Sequence, residues 1–162
     1  MTQARHELIL GGAKSGKSRT AESRAARWLG EGGNRRAALV ATALRGKVTS
    51  DVEMDRRIAR HRADRAARLP QLQTVEAADA LGGTLQGLSD PQLLIVVDCL
   101  TLWLTQILMP PPGRVASATR WHQEREALLS ALRESASPIV LVSNEIGLGV
   151  LPMSREARDF ID

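Results

Sequence analysis

Aromatic residues are almost missing from this chain, which has one Phe, three Trp and no Tyr in 162 residues. Modules that bind single-stranded nucleic acid stack bases on aromatic rings, so the scarcity speaks against that class and predicts a core of Leu, Val, Ile and Ala. Cysteine is rarer still. Cys99 is the only one, so no disulfide can close within the chain and a reducing compartment suits it. It lies beside an apolar run and reads as a small core residue. No apolar run is long enough to span a bilayer, and the first strand-like segment begins too close to Met1 to leave a signal peptide. These features predict a cytoplasmic protein with no membrane span. Charge of one sign does not dominate either: 22 Lys+Arg stand against 18 Asp+Glu, a net charge of +4. That mild excess suits an anionic small molecule and does not demand nucleic acid.

What the chain does have is a complete phosphate-binding loop, Gly11-Gly12-Ala13-Lys14-Ser15-Gly16-Lys17-Ser18. The apolar run Leu8-Ile9-Leu10 precedes it and a helix-compatible stretch, Arg19 to Leu29, follows. This is the strand–loop–helix context the motif requires. The glycines let backbone N–H groups curl around phosphate oxygens, and the helix N-terminus adds partial positive charge. Lys17 would reach the β- and γ-phosphates, and the Ser18 hydroxyl would sit on Mg²⁺. The motif therefore implies a nucleoside triphosphate ligand.

Along the rest of the chain, strand and helix signals alternate. Residues 6–10 read as a strand, Arg19–Leu29 as a helix with Ala21, Ala25 and Trp28 on one face, and Ala37–Thr42 as a buried parallel strand. Ser50 and Glu53 form a capping box that opens an arginine-rich helix to about Leu69, with Met54, Ile58 and His61 on its inward stripe. Leu72–Val75 could be a brief strand ending at Glu76. Leu81, Leu85 and Leu88 have helical spacing, and Leu93–Asp98 is the strongest strand signal. Thr101–Met109 and Ala118–Glu134 read as helices, Pro138–Ser143 as a buried strand, 144–152 as a loop, and Ser154 as the cap of a last short helix. The alternation predicts an α/β sandwich with a mainly parallel sheet and right-handed crossovers.

Four further positions carry chemistry. Asp98 ends an apolar strand, where a carboxylate would hold Mg²⁺ opposite Ser18; the alternative is a cap on the next helix. His61 shares its stripe with Met54 and Ile58 and has Arg57 and Arg65 one turn away on either side. Desolvation and nearby positive charge both favour the neutral, nucleophilic imidazole, although a lone helical histidine is more often structural. Glu76 could be a second carboxylate near the nucleotide or an acid at a helix N-terminus. The segment Asn144-Glu145-Ile146-Gly147-Leu148-Gly149 follows a strand at its carboxyl end, where open α/β sheets bind ligands.

These pieces resemble one family. Gly11–Arg19 with Ala21-Glu22, Ala41-Thr42, Glu53-Met54 with Arg57-Ile58 and His61-Arg62, Thr74-Val75-Glu76, Asp98-Cys99-Leu100-Thr101 and Val142–Gly149 occur in the same order in the bifunctional adenosylcobinamide kinase/adenosylcobinamide-phosphate guanylyltransferases of cobalamin biosynthesis. The resemblance implies a recombinase-like P-loop NTPase fold, a three-layer sandwich spanning 1–162 as one nucleotide-binding domain, and a tendency to form homo-oligomers. It implies phosphorylation of adenosylcobinamide by ATP or GTP, and then transfer of GMP from GTP through a histidine, here His61, to adenosylcobinamide phosphate. By the same matching, nucleotide contacts fall on Gly11, Gly12, Ala13, Lys14, Ser15, Gly16, Lys17, Ser18, Thr42, Ala43, Leu44, Arg62, Ala63, Asp64, Arg65, Glu76 and Asp98. Lys17 joins His61 in catalysis, and Ser18 and Asp98 hold Mg²⁺. Asp98 stands where many relatives carry glutamate, and relatives continue past position 162 into a further helix and a final apolar strand, which this sequence is expected to lack. A small-molecule kinase with an inert His61, or a nucleotide-dependent switch module, are the other readings of the residues.

Overall fold

The computed structural model describes residues 6–12, 14–43, 59–60, 63–77, 80–110 and 113–145. Five strands form one parallel sheet: β1 (Glu7–Gly11), β2 (Arg36–Ala41), β3 (Leu72–Glu76), β4 (Leu93–Asp98) and β5 (Ile139–Asn144), in the spatial order β1-β5-β4-β2-β3. The helices are α1 (Lys17–Gly30), a helical segment at residues 63–68 called α2, α3 (Leu81–Gly87), α4 (Leu100–Leu108) and α5 (Ala118–Glu134). All strand pairs among the described residues are parallel. The expected α/β sandwich is the observed fold, and its sheet is parallel throughout.

Why the sequence folds this way is visible in the two-residue period of the central strands. On β2, β4 and β5 one set of side chains, Ala38, Val40, Ile95, Val97, Ile139 and Leu141, packs against Leu81, Leu85, Trp103, Ile107, Leu128 and Ala131. The alternate set, Ala37, Leu39, Leu94, Val96, Val140 and Val142, packs against Ala21, Ala25 and Leu69. Each strand is thus apolar on both faces because each face carries a helical layer. The α1 layer meets the sheet through Ala21 and Ala25, both fully buried; small residues there let the helix that starts at the phosphate loop lie close to the strands. The third layer is tied together by Trp103 on α4 and Trp121 on α5, whose rings lie 5.9 Å apart at 54°.

β1 and β3 are the sheet edges. On β1, Glu7 is fastened to α1 by a two-pronged ion pair with Arg24, which holds the Glu7 carboxyl below the usual carboxylate range. Leu8 and Leu10 on the same strand remain about half exposed, at 54% and 58%.

The helix after the phosphate loop begins at Lys17, two residues before the expected Arg19. Gly16 at φ 89° is its N-cap, and no side chain caps it. Lys17 and Ser18 therefore lie in the first helical turn rather than in the loop. The remaining expectations agree to within a residue or two: the brief strand at Leu72 is β3, Ala118–Glu134 is α5, and Cys99 is buried in the core. The capping box at Ser50, the stripe of Met54, Ile58 and His61, and the segments after Glu145 lie outside the described residues.

Candidate active site

In a parallel sheet the strand ends that point the same way share one edge, and the registers show which residues meet there. Gly11 pairs with Asn144, Asp98 with Val142 on one side and Ala41 on the other, and Ala41 with Glu76. The carboxyl edge thus carries the phosphate loop, the Asn144 segment, Asp98, the Thr42 turn and Glu76 in spatial sequence. Neighbouring strands are about 4.8 Å apart, so Glu76 and the β1 end each stand roughly 10 Å from the Asp98 strand, on opposite sides. A depression of about 530 Å³ lined by Asn34, Arg35, Arg36, Asp90 and Gln92 lies at the other end of the sheet. Its Arg36–Asp90 ion pair, at 2.6 Å, satisfies both charges locally, and the motif residues are not there.

The loop itself has the shape an anion requires. Lys14 at φ 58° and Gly16 at φ 89° both take left-handed backbone, flanking Ser15. Alternation of this kind turns successive N–H groups inward into a nest, and the uncapped start of α1 adds its own N–H groups and dipole. At Gly11 the backbone passes close to Ser15: a Cβ there would stand 2.7 Å from Ser15 Oγ, and the exposed hydroxyl would have to turn away. The Lys17 ammonium donates to the Gly12 carbonyl, so the cation is folded back over the loop where phosphates would draw it off.

Asp98 ends β4 and is partly exposed. It does not cap α4, whose N-cap is Cys99 with no side-chain cap hydrogen bond. Its counter-charge is Arg65, Nη2 to Oδ2 at 3.8 Å. Arg65 is buried and also meets Glu22 on α1 at 3.4 Å. Of the arginines expected on one helix, Arg65 is therefore not on a solvated face, and Arg68 joins it on Glu22.

Thr42 does not face outward. It is fully buried; its hydroxyl donates to the Cys99 carbonyl at 2.7 Å and accepts from the Cys99 N–H at 3.0 Å. The Gln106 amide donates to the Thr42 carbonyl. What Thr42 contributes to the edge is the placement of the Asp98–Cys99 backbone beside it. Thr101 does the same for β5: its hydroxyl accepts from the Asn144 N–H at 2.9 Å and lies 3.2 Å from Ser143 Oγ. Burial pushes the Cys99 thiol up; N–H groups of Leu102 and Thr101 pull it back, and the Asp98 carboxylate adds to the rise.

Of the remaining sequence candidates, Ala43 is half-buried after β2, Glu76 is exposed at the end of β3, and Ala63 and Asp64 are exposed on α2. Ala13, Leu44, His61 and Arg62 lie outside the described residues. Sequence reasoning gave Glu22 no role in the site. Its signal was its position beside Ala21 and four residues from Ser18, a carboxylate on the stripe that the alanines mark as buried.

The donor set suits a magnesium ion brought by a nucleotide. Asp98 offers one carboxylate and Ser18 one hydroxyl, both hard oxygen ligands, and Mg²⁺ takes few protein ligands while keeping water and phosphate oxygens. Among the described residues no group of three or more His, Cys, Asp or Glu is placed to hold a metal ion.

Comparison with known proteins places this arrangement. Residues 7–162 match the family described as cobinamide kinase / cobinamide phosphate guanyltransferase. The chain belongs to this family. The family's description names two activities, kinase and guanyltransferase, so the chain is an enzyme of that class. The chain is 46% identical over 156 residues to the bifunctional adenosylcobalamin biosynthesis protein CobP of Pseudomonas aeruginosa, covering 96% of this chain and 80% of that protein. It is 30% identical over 164 residues to the bifunctional adenosylcobalamin biosynthesis protein CobU of Escherichia coli, covering 96% and 83%. The protein of the same name from Salmonella typhimurium is 30% identical over 163 residues, with the same coverage.

Proposed function

We propose that the chain acts twice on one corrinoid in cobalamin biosynthesis. It first phosphorylates the aminopropanol hydroxyl of adenosylcobinamide with ATP or GTP, and then transfers GMP from GTP to that phosphate, giving adenosylcobinamide-GDP. The observation that carries the reading is the carboxyl edge, where the nest of Lys14–Gly16, Lys17 and the Asp98–Arg65 pair lie along one row of strand ends.

In the first half-reaction the substrate hydroxyl oxygen attacks the γ-phosphorus, its proton passes to solvent, and the nucleoside diphosphate leaves. The nest and the α1 N-terminus hold the β- and γ-phosphate oxygens, and Lys17 neutralises charge that grows on them. In the second, the His61 imidazole nitrogen attacks the α-phosphorus of GTP; an N–P bond forms and pyrophosphate leaves. A phosphate oxygen of the corrinoid then attacks the same phosphorus, the N–P bond breaks and His61 is regenerated. Mg²⁺, when bound at Ser18 and Asp98, supplies charge neutralisation on the triphosphate. Gly11–Ser18, Thr42–Leu44, Arg62–Arg65, Glu76 and Asp98 make up the nucleotide site in this reading, with Thr42 acting through the backbone it fixes. A cytoplasmic location, where ATP and GTP are held, and a homo-oligomeric state complete it; sedimentation of the purified protein reads the latter directly.

Covalent labelling tests the reading. The protein is incubated with Mg²⁺ and GTP labelled on the α-phosphate, then denatured. The expected result is retained label that is acid-labile and alkali-stable, absent with γ-labelled GTP and absent in His61→Ala. A folded, GTP-binding protein that retains no α-label would reduce the function to a kinase.

A further inference from the structure

One buried charge near the edge has no part in the phosphate-loop motif. Glu22 lies on α1 four residues beyond Ser18 and is 6% exposed. A carboxylate taken out of water this far needs charged partners. Arg68 donates to its Oε2 from Nε at 3.0 Å and from Nη2 at 2.7 Å. Arg65 donates from Nε to its Oε1 at 3.4 Å. The same Arg65 guanidinium turns its Nη2 toward Asp98, 3.8 Å from Oδ2. Arg65 therefore stands between two carboxylates. Glu22, with its side chain 8% exposed, is fixed in the core; Asp98, at 20%, is the more open and the more distant.

We propose that Arg65 is a positioning residue that serves as the resident counter-ion of Asp98, restrained by Glu22, and competes with a divalent cation for that carboxylate. The inference rests on the reading of Asp98 as the cation-holding carboxylate. A unit positive charge at this range lowers the attraction Asp98 exerts on a second cation, because Coulomb energy between partly buried groups is weakly screened. Glu22 pulls on the other edge of the same guanidinium and so limits how closely it bears on Asp98. Removing the charge of Arg65 should then strengthen cation binding, and removing the charge of Glu22 should weaken it. Two residues in direct contact thus act in opposite directions. A purely structural cluster would not behave so: loosening it at either residue would shift binding the same way.

The test uses Mn²⁺ as probe, followed by loss of its free paramagnetic resonance signal, on the full chain carrying a non-hydrolysable GTP analogue. Arg65→Gln is expected to tighten Mn²⁺ several-fold and Glu22→Gln to loosen it several-fold, while Arg65→Lys, which keeps the charge, stays within about twofold of the parent. If Arg65→Gln fails to tighten Mn²⁺, or a folded Glu22→Gln fails to loosen it, while Asp98→Asn loosens it, the proposal is overturned and the role of Asp98 stands. If Asp98→Asn leaves Mn²⁺ affinity unchanged, the role of Asp98 itself falls, and this proposal with it. Should Glu22→Gln fail to fold, Arg65→Gln against Arg65→Lys decides alone, and equal affinities overturn it.

Discussion

Cys99 shows how a single residue's surroundings decide its chemistry. It follows the partly exposed Asp98, yet it is 7% exposed and its thiol is pushed up, chiefly by burial. It should therefore behave as core, not as a reactive centre. In the native protein near neutral pH, alkylation by iodoacetamide is expected to be at least about tenfold slower than in the unfolded chain. The sign of the pH effect follows from the same shift. The native state keeps a proton that the unfolded state releases, so alkaline pH favours unfolding; the contribution is intact below the thiol's ordinary pKa and is lost as pH rises through and above it. Urea unfolding of the parent and Cys99→Ala, compared between neutral pH and about pH 10, should show the parent's advantage shrinking. An advantage that grows with pH would contradict the assignment. At this scale the sequence was readable where a residue's neighbours in sequence are its neighbours in space, as in the left-handed turn of Lys14–Gly16 that leads into α1. It was not readable where partners are distant. Glu22 meets arginines 43 and 46 positions away, and Thr42 meets Cys99 across 57. No periodicity reports such a pairing; only the fold brings it about.

At the scale of elements, the strands were legible because both faces of β2, β4 and β5 are covered, which demands continuous apolar runs. Helix ends were less so. α1 starts at Lys17 because a left-handed glycine, Gly16, and not a side chain, ends the loop, and that leaves the N–H groups of the first turn without a side-chain cap. α3 and α5 show a tighter constraint. A Cβ on Gly82 would stand 2.5 Å from the Ala127 carbonyl carbon and 2.7 Å from the Leu128 nitrogen, both backbone atoms of α5. Backbone cannot swing aside as a side-chain tip can, so Gly82→Ala must push the helices apart, at a cost of about 1–3 kcal/mol. Gly83, the next residue on the same helix, has open space where its Cβ would be and no positive φ. Gly83→Ala should stabilise by about 0.5–1 kcal/mol, through lower unfolded-state entropy and better helix propensity. Equilibrium urea unfolding of the pair separates the two effects. A Gly82→Ala variant that is as stable as the parent would mean that α3 and α5 do not approach as closely as their backbones indicate, and a destabilised Gly83→Ala would contradict the open space beside Gly83.

For the whole molecule, the order β1-β5-β4-β2-β3 makes the chain leave β1 toward one face and β4 toward the other: α1 packs with Ala21 and Ala25 on one layer, α4 with Trp103 and Ile107 on the opposite one. Loops that diverge from strand ends in this way open a crevice at the carboxyl edge, and open α/β sheets bind ligands there. A nucleotide in it would touch the loop after β1 and the end of β4 together, and through Arg65 would bear on α1 and α2. Binding should therefore be felt as global stability rather than as the ordering of one loop. With GTP and Mg²⁺ held at about one hundred times the dissociation constant, mass action stabilises the native state by about 2.7 kcal/mol. For a chain of this length each kcal/mol raises Tm by about 2–4 °C. The expected rise is thus roughly 5–11 °C by calorimetry. Lys17→Ala should keep the Tm of the nucleotide-free protein, because the ammonium's hydrogen bond to Gly12 is exposed, yet lose most of the rise at the same GTP concentration. A variant that keeps the full rise would mean that the triphosphate is held elsewhere than in the nest. A variant already melting lower without nucleotide would mean that Lys17 is part of what holds the loop itself.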